Sequence, residues 1–327
     1  MTAVLTDGVQ LETLLATVFH ARLGASSHLN VLRQSGGNDG VHLAIGPRCG
    51  SLGGSFADVS AGVVLSNYRT IVAFGDSYTD GGKHDGSPLD PPVLVPPDVL
   101  AGGRSTNGLV WVEHLANDVS ATIKDYAIAG ACTDLSLWPS NPRKVDFLME
   151  MDTFLGQNNN LDPDTTLYAI FFGINDFGDY NSDGNHMPQA AQVVLDQIRI
   201  LSSPPTNGRS FLVADVYGLQ VHSTDGELWK QQIFDGLSQF HANNGLNVAF
   251  IDFSRIWDAV LNPQVPPGFR AFGFTSTDPC CAVSQCTVSG ECADPDHAFY
   301  WLVNHPSKET HRIMADYVEE VLDNCAV

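Results

Sequence analysis

The chain has 327 residues, 43% of them hydrophobic, with 37 acidic and 16 basic side chains and a formal net charge of −21. That length suits one large α/β domain or two small ones, and no stretch approaches the ~18 apolar residues of a membrane span. The acidity disfavours nucleic acid and anionic membranes as partners, because like charges repel.

Residues 1–66 differ in composition from the rest of the chain. The stretch 11–23 has the spacing of a short amphipathic helix, but Glu12, His20 and Arg22 interrupt it where a secretory signal is apolar. The Gly/Ser-rich runs 35–40 and 49–55 read as linker. The expectation is a poorly ordered extension over 1–66 and one folded domain over 68–327.

From residue 70 strands and helices alternate. TIVAF (70–74) is a buried strand ending at Gly75, with Asp76 and Ser77 directly after it. A Gly/Pro-rich loop occupies 81–103, too proline-rich for a helix and long enough to be a binding wall. Helical spacing returns over 109–121, then a strand over 124–128 ending in Ala129-Gly130. Further helices are predicted over 145–155, 188–202, 228–243, 256–261 and 310–322. Further strands are predicted over 165–172, 210–217 and 246–253. Apolar runs without alternation indicate strands buried on both faces, as in a parallel sheet covered by helices. The predicted fold is α/β: a three-layer α/β/α sandwich on a five-stranded parallel sheet.

Chemistry gathers at the strand ends. In a parallel sheet the residues after the first three strands share one rim, where ligands bind. Ser77 is the candidate nucleophile and needs a base to take its proton. The backbone N–H groups of Ser77 and Gly130 and the side-chain amide of Asn175 can form an oxyanion hole. His305, before Pro306-Ser307 and the last helix, is the candidate base. Asp76 and Asp176 read as structural. Trp138 has two readings, stacking on a sugar or packing in a loop, and packing is favoured. Asn107 and Trp111 are candidates for the pocket wall, and His311 for packing or surface on the last helix.

These blocks carry a family resemblance. GDSYTDGG (75–82), Gly130 in YAIAGACTD (126–134), GIND (173–176) and NHPSKETHRIMADYV (304–318) resemble, in order, the four conserved blocks of the GDSL/SGNH hydrolases. GRSTNGLVWVEHLA (103–116) and CADPDHAFYWLVNHPS (292–307) resemble the fungal-type acetylesterases of carbohydrate esterase family 16. The resemblance spans 68–325 and none of 1–66. It implies a flavodoxin-like sheet, catalytic Ser77 and His305, and an oxyanion hole from Ser77, Gly130 and Asn175. It also implies an acyl-enzyme route on short acyl esters, above all acetyl groups on sugars or xylo-oligosaccharides, without metal or cofactor. The expected partner is a small or oligosaccharide ester, with no nucleic acid and no membrane span, and the expected state is a monomer. A lipase or phospholipase is the alternative enzyme on the same blocks.

One position departs from the family pattern. An aspartate three residues before the histidine is expected, and Leu302 stands there. Leucine cannot orient an imidazole, a role whose loss costs roughly 10⁴ in rate in a serine protease triad. A backbone carbonyl can serve instead, leaving a Ser-His dyad. Asp294 or Asp296 can fold back to serve, or the chain is a catalytically weak carbohydrate-binding relative.

Seven cysteines are present, four of them within 280–292. Local disulfides fit an oxidising, extracellular setting. Zinc ligation with His297 is the competing reading, disfavoured because no CxxC pair occurs. The odd count leaves at least one thiol unpaired.

Overall fold

The computed structural model describes residues 40–95, 97–281 and 292–327. The predicted helix at 11–23 and Cys286 lie outside the described residues.

The strands of the main sheet are β1 (Val59–Ala61), β2 (Thr70–Gly75), β3 (Thr122–Asp125), β4 (Thr166–Phe171), β5 (Ser210–Asp215) and β6 (Asn247–Asp252). Their spatial order is β1-β6-β5-β4-β2-β3. β3, β2, β4, β5 and β6 run parallel, as predicted, and β1 is antiparallel on β6. Without β1, the order is that of the flavodoxin-like doubly wound sheet, whose direction of winding reverses between β2 and β4. Ligands bind in the crevice at that reversal, and Ser77 and Asn175 come directly after the two strands that flank it.

Helices cover both faces. They are α1 (Trp111–Asp118), α2 (Phe147–Gly156), α3 (Ile174–Asp183), α4 (Met187–Leu201), α5 (Thr224–Asn244), α6 (Ser254–Leu261) and α7 (Lys308–Asn324). Ile71 and Ala73 of β2 join the core that holds Trp111, Trp257 and Met314 from α1, α6 and α7. Val72 and Phe74 join the opposite core, with Phe154, Ile198 and Ile233 from α2, α4 and α5. The two-residue period of a strand thus feeds two helix layers from one apolar run.

A second sheet stands beside the rim. It comprises β7 (Ser276–Cys281), β8 (Ala298–Leu302) and β9 (His305–Pro306), in that order. The long loop 81–103 rests against it, with Trp301 Nε1 donating to Val99 O at 2.8 Å. Buried Arg104 holds the loop's end: it pairs with Glu113 at 2.7 Å and donates to the carbonyls of Ala101, Gly102 and Asp90.

The expected boundary near residue 67 is corrected. The described residues form one unit, and residues 40–66 belong to it. Val59–Ala61 pair with β6, and Cys49 is disulfide-bonded to Cys325. Gly/Ser-rich composition signals flexibility, but three paired residues and one cross-link suffice to fasten such a segment. Among the described residues the sheet accordingly carries an antiparallel sixth strand beside the five parallel ones that were expected.

Candidate active site

Ser77 lies in a tight turn at the end of β2. Tyr78 N–H donates to Asp76 Oδ1 at 3.0 Å, and Thr79 N–H and Asp80 N–H donate to Asp76 O at 3.0 and 2.9 Å. Asp76 therefore shapes the turn, as expected. It is wholly buried, and burial together with the neighbouring Asp176, Asp80 and Asp215 raises its pKa to about 8.

His305 reaches Ser77 from the other side. Leu302 and His305 pair across a two-residue turn whose second residue, Asn304, adopts φ +56°. His305 Nε2 lies 2.9 Å from Ser77 Oγ, and its Nδ1 lies 2.9 Å from Val303 O. A carbonyl only accepts, so Nδ1 carries the proton and Nε2 is the free base toward the serine hydroxyl. The carbonyl of Val303 stands where a triad places a carboxylate. Asp294 instead bonds His297 at 2.8 Å, and Asp296 pairs with Lys308 at 2.8 Å, so neither aspartate takes that role. Burial lowers the His305 pKa, and the Val303 bond partly opposes it.

Gly130 and Asn175 complete the cluster. Gly130 has φ +91°, and a Cβ there would lie 2.3 Å from Arg143 Cγ, so the turn requires glycine. Asn175, in the first turn of α3, donates through Nδ2 to Ala131 O at 2.9 Å and to Asp76 Oδ2 at 3.4 Å. Its amide bridges the segment carrying Ser77 and the segment carrying Gly130. The long bond to Asp76 is the weaker of the two. Among the described residues the N–H groups of Ser77 and Gly130 have no backbone hydrogen-bond acceptor. The four predicted site residues are thus tied to one rim, by direct contact or through an adjacent residue.

Other candidates are structural. Asp176 accepts from Thr133 N–H and Oγ–H at 3.0 and 2.5 Å, locking α3 to the Gly130 loop. Trp138 is buried edge-on to His186, which removes it as a sugar platform. Trp111 is buried with Nε1 donating to Thr79 Oγ1 at 3.2 Å, and Asn107 Oδ1 accepts from Lys308 N–H at 2.8 Å. His311 is buried and accepts from Trp111 N–H at 3.3 Å.

Two features of the site were not anticipated. Tyr78 OH donates to Asn304 O at 2.7 Å, bracing the histidine turn. Glu150 of α2 accepts from Gly75 N–H at 3.0 Å and Ile128 N–H at 3.1 Å, joining the ends of two strands. The position of Tyr78 beside the serine was a signal for the first. Helical periodicity carries none for the second.

Residues 71–318 match the family model described as GDSL-like Lipase/Acylhydrolase. The chain belongs to the GDSL-like lipase/acylhydrolase family. A thermolabile hemolysin of Vibrio parahaemolyticus is similar to this GDSL chain, 23% identical over 78% of this chain and 64% of that one. An acetylesterase of Thermothelomyces thermophilus is 26% identical over 46% of this chain and 54% of its own length. The chain therefore spans less than two thirds of either relative. A solved family two carbohydrate esterase from Clostridium thermocellum, in an active-site mutant form, is similar at 13% identity and a TM-score of 0.45, covering 78% of this chain and 64% of that one.

The cysteine cluster of this GDSL chain contains a Cys280–Cys292 disulfide, in favour of the disulfide reading over zinc. Cys281 is disulfide-bonded too, and Cys132 is free and buried. Among the described residues no helix is long and apolar enough to cross a membrane.

Proposed function

We propose that this protein is a serine esterase that removes short acyl groups, acetyl above all, from carbohydrates. The observation that carries the reading is the 2.9 Å contact of Ser77 Oγ with His305 Nε2, on an imidazole whose other nitrogen is held by Val303 O. Similarity to an acetylesterase supports the choice of acyl group, and family membership supports the bond type.

The reaction uses these atoms in turn. Ser77 Oγ attacks the ester carbonyl carbon while His305 Nε2 takes its proton. The tetrahedral oxyanion receives hydrogen bonds from Ser77 N–H, Gly130 N–H and Asn175 Nδ2–H, the last by exchanging its long bond to Asp76. Each such donor contributes on the order of 10²–10³ in rate. His305 then passes the proton to the alcohol oxygen as the carbon–oxygen bond breaks. Water attacks the acyl-Ser77 ester, gives its proton to Nε2, and the serine recovers it as acid leaves. Val303 O keeps the tautomer fixed throughout, doing with a dipole what a triad carboxylate does with a charge. Disulfides persist in oxidising compartments, and on that ground we place the protein outside the cell.

The test is hydrolysis of p-nitrophenyl acetate and an acetylated xylo-oligosaccharide by the natural protein, Ser77→Ala and His305→Ala. Turnover that falls by roughly 10³-fold or more in both variants supports the assignment. Inactivity of the natural protein, or a preference for p-nitrophenyl palmitate over acetate, overturns it.

A further inference from the structure

The loop after β5, residues 216–223, is folded more tightly than a connection needs. Leu219 N–H donates to Val216 O and Val221 N–H to Gly218 O, both at 2.8 Å. A Cβ on Gly218 would lie 2.1 Å from Val221 O. Leu219 has φ +57°, a left-handed conformation that is costly for a bulky side chain. Strain of this kind concentrates at ligand clamps.

The strained loop is also anchored. Tyr217 OH donates to Glu227 Oε1 at 2.8 Å. His222 bridges two helices, with Nδ1 3.1 Å from Glu227 Oε1 on α5 and Nε2 2.9 Å from Asp258 Oδ1 on α6. The anchors hold one wall of a groove of about 440 Å³ lined by Leu219, Gln220, Val221, Thr277, Tyr300 and Asn304. That volume falls in the range of about 300–1,000 Å³ of small-molecule sites. Tyr300 is fixed there by accepting from Trp257 Nε1 at 2.9 Å.

The position of the groove decides what it receives. Asn304, which lines the groove, is the residue directly before His305, so the groove adjoins the turn that carries the imidazole. In ester cleavage the imidazole returns its proton to the departing alcohol oxygen, which therefore leaves on the histidine side, while the acyl carbonyl faces the oxyanion donors. Gln220, Thr277 and Asn304 offer amides and a hydroxyl, and a hydrocarbon chain laid over them would strip their water without replacing it. A polyhydroxyl chain replaces those hydrogen bonds. We propose that this groove binds the alcohol side of the substrate, a carbohydrate chain, and so sets the preference for sugar esters over simple ones. This deepens the esterase reading above and rests on it.

The experiment compares kcat/KM on an acetylated xylo-oligosaccharide with kcat/KM on p-nitrophenyl acetate for the natural protein, Gln220→Ala, Thr277→Val and Val221→Trp. The expected result is a ratio lowered roughly tenfold or more by Val221→Trp, which fills the groove, and severalfold by each of the others, through KM on the oligosaccharide. An unchanged ratio in all three overturns the proposal. So does a selective loss on p-nitrophenyl octanoate, which would put an acyl chain there. Calorimetric binding of unacetylated xylohexaose separates this from failure of the esterase reading, since it needs no turnover. Binding abolished by Val221→Trp supports the groove even in an inactive protein, and absence of binding to the natural protein overturns it.

Discussion

Tyr78 OH donates to Asn304 O at 2.7 Å, joining the residue after the serine to the residue before the histidine. The two halves of the site come from segments 228 positions apart, Ser77 and His305, and this bond fixes their separation. Tyr78 is buried and stacked between Phe171 and Trp257, so its hydroxyl has little freedom to leave.

Tyr78→Phe keeps the ring and removes that bond. The Asn304 carbonyl loses its donor at an exposed turn, where water can replace it, a change that costs about 0.5–1.5 kcal/mol. We expect a lower Tm and a fall in kcat of about 10- to 100-fold with KM little altered, the signature of a displaced base. Steady-state kinetics with a thermal melt checks both, and full activity in the variant would show that the turn holds itself.

Leu302→Asp introduces the residue that the family pattern has at this position. Leu302 packs against Cys280, Cys281 and Trp301, and the proton on His305 Nδ1 already has an acceptor in Val303 O. The expected outcome is no gain in kcat/KM beyond about twofold and a lower Tm, because a charge enters an apolar cluster. A gain of tenfold or more would mean that the carbonyl orients the imidazole poorly.

The pH dependence has two limbs of different origin. His305 must be neutral to accept the serine proton, and burial lowers its pKa, so the acid limb of kcat/KM falls below the usual imidazole value of 6.5. Stability runs the other way. Asp76, Asp215, Asp58 and Asp176 have pKa values raised by burial to about 8, 7, 6 and 6. Each binds its proton more tightly folded than unfolded, so its contribution is complete below the ordinary 3.8 and is lost as pH rises through the folded value. Below pH 6.5 the buried His305, His114 and His311, whose pKa values burial lowers, act in the opposite sense, so the clean window lies above it: Tm should fall between pH 6.5 and 8, and a Tm that rises toward pH 8 would contradict the assignment.

Cys49→Ser or Cys325→Ser opens a disulfide that closes 276 positions of chain. Removing such a bond costs about 2–5 kcal/mol. Urea titration of either variant should show that loss. A midpoint unchanged from the natural protein would show that β1 is held by the sheet alone.

Much of the architecture was legible because burial on both faces writes long apolar runs. The strands at 70–75, 165–172, 210–217 and 246–253 lie within a residue or two of those runs. The second parallel strand was placed at 124–128 and is Thr122–Asp125. Asp125 ends it by turning its carboxylate onto Ala127 N–H at 2.9 Å and Gly81 N–H at 2.6 Å, which apolar content alone does not reveal. β1 has only three residues, too few for a pattern. The helix Ile174–Asp183 was hidden by its polar, glycine-bearing composition, since it covers the rim rather than the core. Ser77, Gly130, Asn175 and His305 were readable as strand-end and motif residues. The Val303 acceptor was not assignable by residue, because every residue carries a carbonyl and only the turn selects which one faces the ring.

The link between Cys49 and Cys325 is reinforced by Ser60 N–H donating to Cys325 O at 2.8 Å and Val327 N–H to Ser60 O at 2.9 Å. It makes the domain a covalent ring. A protease that cuts an exposed loop anywhere between residues 49 and 325 leaves both fragments fastened to each other. Ser77 and His305 would then stay in one molecule after a nick between them, and would part only on reduction followed by unfolding.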